Sequence, residues 1–200
     1  MVLRSDVPHA RAVFLDLNGT LVLPLLAERP SEYRLIGKAV EAVSLLCRAG
    51  FVCPVITVQS RIEKGLYSEA DFRQWFESFK AVCAEGDAFV KGPYVCPHRN
   101  KTRCACKKSS GVLYRRAAAD LGIDCAASFV IGDTLEDLQA ARLLGCRGIL
   151  VRTGWSVSAE AEACADYVAE NIMVAARCLS AAGQGRLASC TQPRPERNVI

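Results

Sequence analysis

Short apolar runs alternate along this chain with longer stretches whose apolar residues recur at helical spacing. The runs fall at residues 12–16, 52–57, 89–95, 128–131 and 148–151, with a shorter one at 165–168. The helical stretches are 37–49, 68–83, 110–121, 135–144 and 171–181. In the first of these, Val40, Val43, Leu46 and Cys47 mark one face, and Gly50 stands where a C-cap belongs. Ser68 is placed to cap the second, whose Phe72, Trp75, Phe76 and Phe79 form a stripe that belongs to a core. Strands separated by helices pair in parallel, because the crossover must carry the chain back to its starting end. The expected fold is therefore α/β: a Rossmann-like parallel sheet with helices on both faces, in one domain over residues 1–182. Residues 183–200 are polar and rich in Pro and Gly, and are expected to be a disordered tail.

In an open parallel sheet, ligands gather at the C-terminal strand ends, near the point where strand order reverses. Four groups in this sequence fall at such ends. Asp16 closes the first run, Thr57 the second, and Asp133 follows the run 128–131, while Lys107 and Lys108 precede a helix. A strand-tip carboxylate followed by the Asn18-Gly19-Thr20 turn is suited to attack on phosphorus. Two carboxylates, a hydroxyl and a cation form a phosphate site with a divalent metal. Magnesium takes oxygen ligands, lysine neutralises phosphoryl oxygens, and a hydroxyl with nearby backbone N–H groups orients them. Each residue also has a plainer reading. Asn-Gly is an ordinary turn, a β-branched Thr suits any strand, and two lysines can be a solvated pair. Cations are mildly disfavoured at a helix start, which strengthens the anion-binding reading of Lys107 and Lys108.

Composition narrows the remaining classes. The net charge of +4 is mild and Lys and Arg are scattered, so no nucleic-acid partner is expected. No apolar run approaches the roughly 18 residues of a membrane span, and residues 1–11 hold no signal-like apolar block. A cytoplasmic monomer acting on a small molecule is expected. Eleven cysteines are many for such a chain, and most sit singly within apolar stretches. Only Cys96, Cys104 and Cys106 cluster, with His98 among them. Without an export signal, that cluster reads as a metal site rather than as part of a disulfide framework.

In order along the chain, Asp16-x-Asn18-Gly19-Thr20, Thr57, Lys108 and Gly132-Asp133-x3-Asp137 resemble the four motifs of the haloacid dehalogenase (HAD) superfamily. The stretch Thr57-Val58-Gln59-Ser60-Arg61-Ile62-Glu63-Lys64-Gly65 is similar to the Thr-Asn-Gln-Ser-Gly-Ile-x-Arg-Gly segment of the heptose bisphosphate phosphatases. Cys96-Pro97-His98 with Cys104-x-Cys106-Lys107-Lys108 resembles their zinc loop, here residues 95–108, and the Arg-Lys pair after it. Gly132-Asp133-Thr134-Leu135-Glu136-Asp137 and Leu150-Val151-Arg152-Thr153-Gly154 continue the match, which spans roughly residues 12–155. Histidinol-phosphatase domains share the zinc loop, but the Gln-Ser-x-Ile-x-x-Gly stretch leans toward the heptose branch.

That resemblance implies a HAD fold without a large cap domain and a magnesium-dependent sugar-phosphate phosphatase acting on the 7-phosphate of a heptose 1,7-bisphosphate. Asp16 would be the nucleophile that becomes an aspartyl-phosphate. Magnesium, the catalytic cofactor, would be held by Asp16, the main-chain carbonyl of Asn18 and Asp133, with Asp137 behind. Thr57 and Lys108 would hold the phosphate, while Gln59, Ser60, Arg61 and Lys107 would face the rest of the substrate. Cys96, His98, Cys104 and Cys106 would bind a structural zinc, since three thiolates and an imidazole close a tetrahedral shell against water.

The chain departs from the pattern at four places. Position 18 is Asp in the phosphatases, where it protonates the leaving alkoxide and then activates water; Asn can do neither. P-type ATPases resemble the same superfamily, carry Thr there and form long-lived aspartyl-phosphates. Asn18 thus predicts slow turnover and a persistent intermediate, whether the Asn is natural or engineered. Val58 stands for an Asn, Arg61 for a Gly and Lys107 for an Arg, the last losing a planar bidentate fork. The competing expectation is a catalytically impaired phosphosugar-binding homologue; a histidinol-phosphate-type phosphatase is the other.

Overall fold

The computed structural model describes residues 9–99, 102–155 and 158–182, so the expected tail at 183–200 lies outside the described residues. The chain opens with β1 (Val13–Asp16) and then a hairpin of two-residue strands, β2 (Val22–Leu23) and β3 (Arg34–Leu35). It continues through α1 (Ala39–Arg48), β4 (Cys53–Val58), α2 (Ser60–Glu63), α3 (Glu69–Glu85) and β5 (Val90–Cys96). After the cysteine loop come α4 (Val112–Leu121), β6 (Phe129–Gly132), α5 (Leu135–Leu144) and β7 (Arg147–Val151). Last are α6 (Ala159–Cys164), β8 (Tyr167–Ala169) and α7 (Ile172–Ala182).

Six of the strands form one parallel sheet in the order β5-β4-β1-β6-β7-β8. The first strand lies in the middle because both of its faces are apolar. Val13 and Leu15 enter the core shared with α1, α3 and α7, whereas Ala12 and Phe14 enter the one shared with α4 and α5. This two-sided burial is what a parallel sheet covered by helices requires. From β1 the chain steps outward to β4 and β5, then returns to the other side of β1 for β6, β7 and β8. Strand order therefore reverses around the C-terminal tip of β1, where the sheet opens a crevice.

Expected elements recur with ends shifted by a residue or two. The first helix starts at Ala39 because Lys38 takes a left-handed conformation (φ 65°). The helix expected from residue 110 starts at Val112, after a 3₁₀ turn over Lys108–Ser110 and a left-handed Gly111. Ser68 caps α3 as expected: its hydroxyl accepts the Asp71 N–H at 3.0 Å, and Asp71 Oδ2 accepts the Ser68 N–H at 2.9 Å. The aromatic stripe is core, with Phe72, Phe76 and Phe79 buried. The β2–β3 hairpin, α2 and α6 were not expected from the sequence. No helix among the described residues is long and apolar enough to cross a membrane.

Candidate active site

The C-terminal tips of β1, β4 and β6 bring together Asp16, Thr57 and Asp133, all buried. Lys108 reaches in from the 3₁₀ turn, and its Nζ lies 2.5 Å from Asp16 Oδ1 and 2.9 Å from Asp137 Oδ1. Asp16, Asp133 and Asp137 each offer an oxygen within 4.8 Å of the others'. The four positions expected to converge thus do so at one rim of the sheet. Lys108 is only 6% exposed, which rules out a solvated pair with Lys107.

Asp137 is occupied by its neighbours. Besides Lys108, it accepts the Thr134 hydroxyl at 2.6 Å and the Tyr114 hydroxyl at 2.8 Å. Its carboxylate packs so close to the β6 tip that a Cβ on Gly132 would collide with it. A carboxylate this fully bonded orients Lys108 and has little left to offer a ligand.

Asp133 is different. Its Oδ2 accepts the Trp155 N–H at 3.0 Å, while its buried Oδ1 receives no donor. The Asp16 carboxyl beside Asp133 can bond it only while protonated. A Cβ on Gly154 or Gly19 would land on Asp133 Oδ2, and Gly19 has φ +88°, so both positions require glycine. The Thr153 hydroxyl donates to the Gly19 carbonyl at 2.5 Å, locking the loop after β7 to the loop after β1.

Burial pushes the Asp16 carboxyl well above the ordinary carboxylate range, even though Lys108 pulls it down. Burial also raises Asp133. Desolvation opposes the Lys108 charge, but Asp137 and Asp16 outweigh it and hold the ammonium more firmly than in water. Three carboxylates against one ammonium leave negative charge uncompensated. A hard divalent cation with oxygen ligands fits that deficit, the donorless Oδ1 of Asp133 and the small-residue cradle around it.

Asn18 sits at the mouth of this cluster. Its Oδ1 accepts from Gln59 Nε2 at 2.8 Å and from the Thr57 hydroxyl at 3.3 Å, and its Nδ2 donates to the Leu25 carbonyl at 3.4 Å. Gln59, expected to face substrate, is instead 2% exposed behind Asn18. Its amide is taken up by Asn18, Thr57, Tyr33 and Tyr67. Ser60 and Arg61 begin α2 directly after the tip of β4 and are half-buried at the rim. The Arg61 guanidinium lies near enough to Tyr33 and Tyr67 to act on both electrostatically.

Cys96, His98, Cys104 and Cys106 offer four ligand atoms that all lie within 4.8 Å of one another. Cys96 Sγ is 3.8 Å from Cys104 Sγ and 3.3 Å from Cys106 Sγ, and His98 Nδ1 is 3.1 Å from Cys106 Sγ. A tetrahedral zinc with Zn–S bonds of about 2.3 Å separates its sulfurs by roughly 3.8 Å, so the cluster has the size of such a shell. Burial pushes the Cys96 thiol up to about 12 and raises Cys106 as well, so a cation is needed to hold them as thiolates. Glu63, at the end of α2, straps this loop down. Its carboxylate accepts the Arg99 N–H at 2.5 Å and the Thr102 hydroxyl at 2.9 Å, and its N–H donates to the Pro97 carbonyl at 3.2 Å.

Sequence reasoning missed Tyr33, Tyr67, Tyr114, Thr134, Gly154, Trp155 and Glu63 as members of this assembly. Thr134 was within reach, since it stands three residues before Asp137 at a helix start. The tyrosines carry no local signal.

A HAD-hydrolase-like family model matches residues 105–175. The D-glycero-beta-D-manno-heptose-1,7-bisphosphate 7-phosphatase of Haemophilus influenzae is 34% identical over 84% of this chain and 96% of its own length. Its namesake from Escherichia coli K12 is 34% identical over 80% and 89%. The crystal structure of the D,D-heptose 1,7-bisphosphate phosphatase from B. bronchiseptica, complexed with magnesium and phosphate, superposes with a TM-score of 0.73. It is 25% identical, over 84% of this chain and 96% of that one. With this identity over most of both chains, the chain belongs to the HAD-like hydrolases, in the family of the D-glycero-beta-D-manno-heptose-1,7-bisphosphate 7-phosphatases, and is a hydrolase acting on phosphate esters.

Proposed function

We propose that the chain is a magnesium-dependent sugar-phosphate phosphatase that removes the 7-phosphate of a heptose 1,7-bisphosphate, slowed by Asn18. The observation that carries this reading is Asp16 itself, buried at the tip of β1 with Oδ1 held by Lys108 at 2.5 Å. That ion pair leaves Oδ2 as the attacking atom. Attack on phosphorus forms the Asp16 acyl phosphate and breaks the bond to the sugar oxygen. Lys108 would hold the phosphoryl oxygens during transfer, joined by the Thr57 hydroxyl once its proton turns from Asn18 Oδ1 toward them. The departing alkoxide takes its proton from water, since Asn18 has none to give, and a second water then cleaves the acyl phosphate.

Bound by Asp16, the Asn18 main-chain carbonyl and Asp133, magnesium would offset the charge of the transferring phosphoryl oxygens. The relatives' names and the magnesium and phosphate in the B. bronchiseptica complex support this choice of metal and substrate. Cys96, His98, Cys104 and Cys106 would hold a structural zinc that fixes the loop leading to Lys107 and Lys108. Ser60, Arg61 and Lys107 would contact the part of the sugar beyond the reacting phosphate. A cytoplasmic setting belongs to this reading.

Asn18 also favours a second reading, a phosphosugar-binding homologue that no longer turns over. Incubation with heptose bisphosphate and magnesium separates the two, followed by peptide mass spectrometry and phosphate assay. A phosphatase gives a phosphorylated Asp16 peptide and slow phosphate release, both abolished by Asp16→Asn. Substrate binding with neither product would establish the binding homologue instead.

A further inference from the structure

Gln59 is the residue whose placement the phosphatase reading does not use. It is 2% exposed, yet its amide makes four hydrogen bonds. Its Oε1 accepts the hydroxyls of Tyr33 and Tyr67 at 3.1 and 2.8 Å. Its Nε2 donates to Asn18 Oδ1 and Thr57 Oγ1, both at 2.8 Å. A primary amide has two N–H donors and an oxygen with two acceptor sites, so every valence is filled. Turning the amide over would set its oxygen against Asn18 Oδ1 and take away the acceptor into which both phenols now donate. With Asn18 Oδ1 opposite, the tyrosines hold Nε2 toward position 18.

They also decide the orientation of Asn18. Its Oδ1 receives both Gln59 Nε2 and the Thr57 hydroxyl, which commits that oxygen to the protein interior. The Nδ2 group donates to the Leu25 carbonyl at 3.4 Å, a long contact, and also lies within bonding reach of the Tyr33 hydroxyl. The clamp is itself braced. Tyr33 precedes β3 in the hairpin and packs its ring on Trp75 of α3 at a centroid distance of 4.9 Å, and Tyr67 lies in the connection from α2 to α3. Three segments of the chain thus meet on one buried amide.

We propose that Tyr33, Tyr67 and Gln59 are positioning residues that hold the side chain at position 18 with an acceptor turned inward and its other terminal atom offered to the phosphomonoester. In this chain the offered atom is Nδ2, which donates a hydrogen bond to substrate but takes no proton from water. The same clamp accommodates a carboxylate without rearrangement: one oxygen would replace Oδ1 in front of Gln59 and Thr57, and the other would stand where Nδ2 now is. The kinetic part of this inference rests on the phosphatase reading; the hydrogen-bond orientation does not.

The test uses Tyr33→Phe, Tyr67→Phe and the double variant, each with Asn18 and with Asn18→Asp. Side-chain amide NMR needs no substrate. Gln59 amide protons should exchange at least about ten-fold more slowly than those of Asn18, and the double variant should erase the difference. In the Asn18→Asp background the double variant should lower kcat by about ten-fold or more, with KM within about two-fold. Single variants should fall between, because one phenol still holds Oε1. If the double variant does not fold, Gln59→Glu serves. It keeps the acceptor for both phenols, deletes the donors to position 18 and should give the same loss of kcat. Protection of the Asn18 amide protons instead, or variants that move KM and leave kcat unchanged, would overturn the clamp. The expected exchange pattern with no phosphate release from any variant would uphold the clamp and overturn the phosphatase reading.

Discussion

Asn18 and aspartate differ by one terminal group, and that group is the one the reaction needs for moving a proton. General acid–base catalysis contributes about 10²–10⁴ in rate, or roughly 3–5 kcal/mol of barrier. Everything else at the position is intact: the main-chain carbonyl is unchanged, and Gln59 and Thr57 already aim donors at its side-chain oxygen. Asn18→Asp is therefore expected to raise kcat for phosphate release by about 10²-fold or more and to shorten the lifetime of phosphorylated Asp16. A change of less than about two-fold would place the defect at Val58 or Arg61 instead. A second residue-scale prediction concerns a thiol away from the site. Cys47, half-buried at the end of α1, is lowered to about 6, first by a hydrogen bond from the Cys53 thiol, with Lys91 and Arg48 nearby. Burial drives other thiols the opposite way, Cys83 to about 11 and Cys146 to about 12. The thiolate is the nucleophile, so iodoacetamide at neutral pH should label Cys47 before those two, with a rate midpoint near pH 6. Peptide mass spectrometry after brief labelling reads the order directly.

At the scale of elements, the cysteine loop and α2 act as one piece. The loop hangs from the end of β5 and is tied to α2 by the three Glu63 bonds and by the Gln59 N–H, which donates to the Cys96 carbonyl at 2.8 Å. At its other end the Ser110 hydroxyl donates to the carbonyls of Ala105 and Lys107, both 2.6 Å away, just beside Lys108. Removing a metal from Cys96, His98, Cys104 and Cys106 should therefore loosen both the Arg61-bearing helix and the Lys108 turn. Chelation should release about one zinc per chain, open the bond after Arg103 to trypsin, and raise KM more than it lowers kcat. Metal release with unchanged proteolysis would mean that Glu63 alone holds the loop. The clustering of Cys96, His98, Cys104 and Cys106 was legible because metal-ligand spacing is local. The sequence hid α2, α6 and the β2–β3 hairpin for a physical reason. Pieces of two to six residues hold too little of a turn or alternation to show a period, and tertiary contacts fix them.

At the scale of the whole molecule, the crevice at the β1 switch point was legible because strand ends and their carboxylates recur at readable spacing. The clamp behind Asn18 was not, since Tyr33 and Gln59 are 26 residues apart and meet only through the hairpin's fold over α3. The same global packing that buries the site makes its charges a burden on stability. Asp16 and Asp133 are both raised in the folded, metal-free chain, and burial is the first cause for each. A folded carboxyl with a raised pKa binds more protons than its unfolded counterpart, so stability falls with pH between the unfolded value of about 4 and the folded one. Their favourable contribution is complete below about pH 4 and disappears as pH climbs through the raised values. Lys108 is raised too, so the stability it lends persists into alkaline solution and is lost only above the ordinary lysine range. A divalent cation on Asp16 and Asp133 requires both as carboxylates, and it should restore what ionisation removes. Thermal unfolding at about pH 5 and about pH 8, with and without magnesium, measures this linkage. The metal-free melting temperature should fall between the two, and the increment from magnesium should be larger at the higher pH. An increment that shrinks with pH would mean that the two carboxylates do not share one cation, and the phosphoryl site would lose its electrostatic basis.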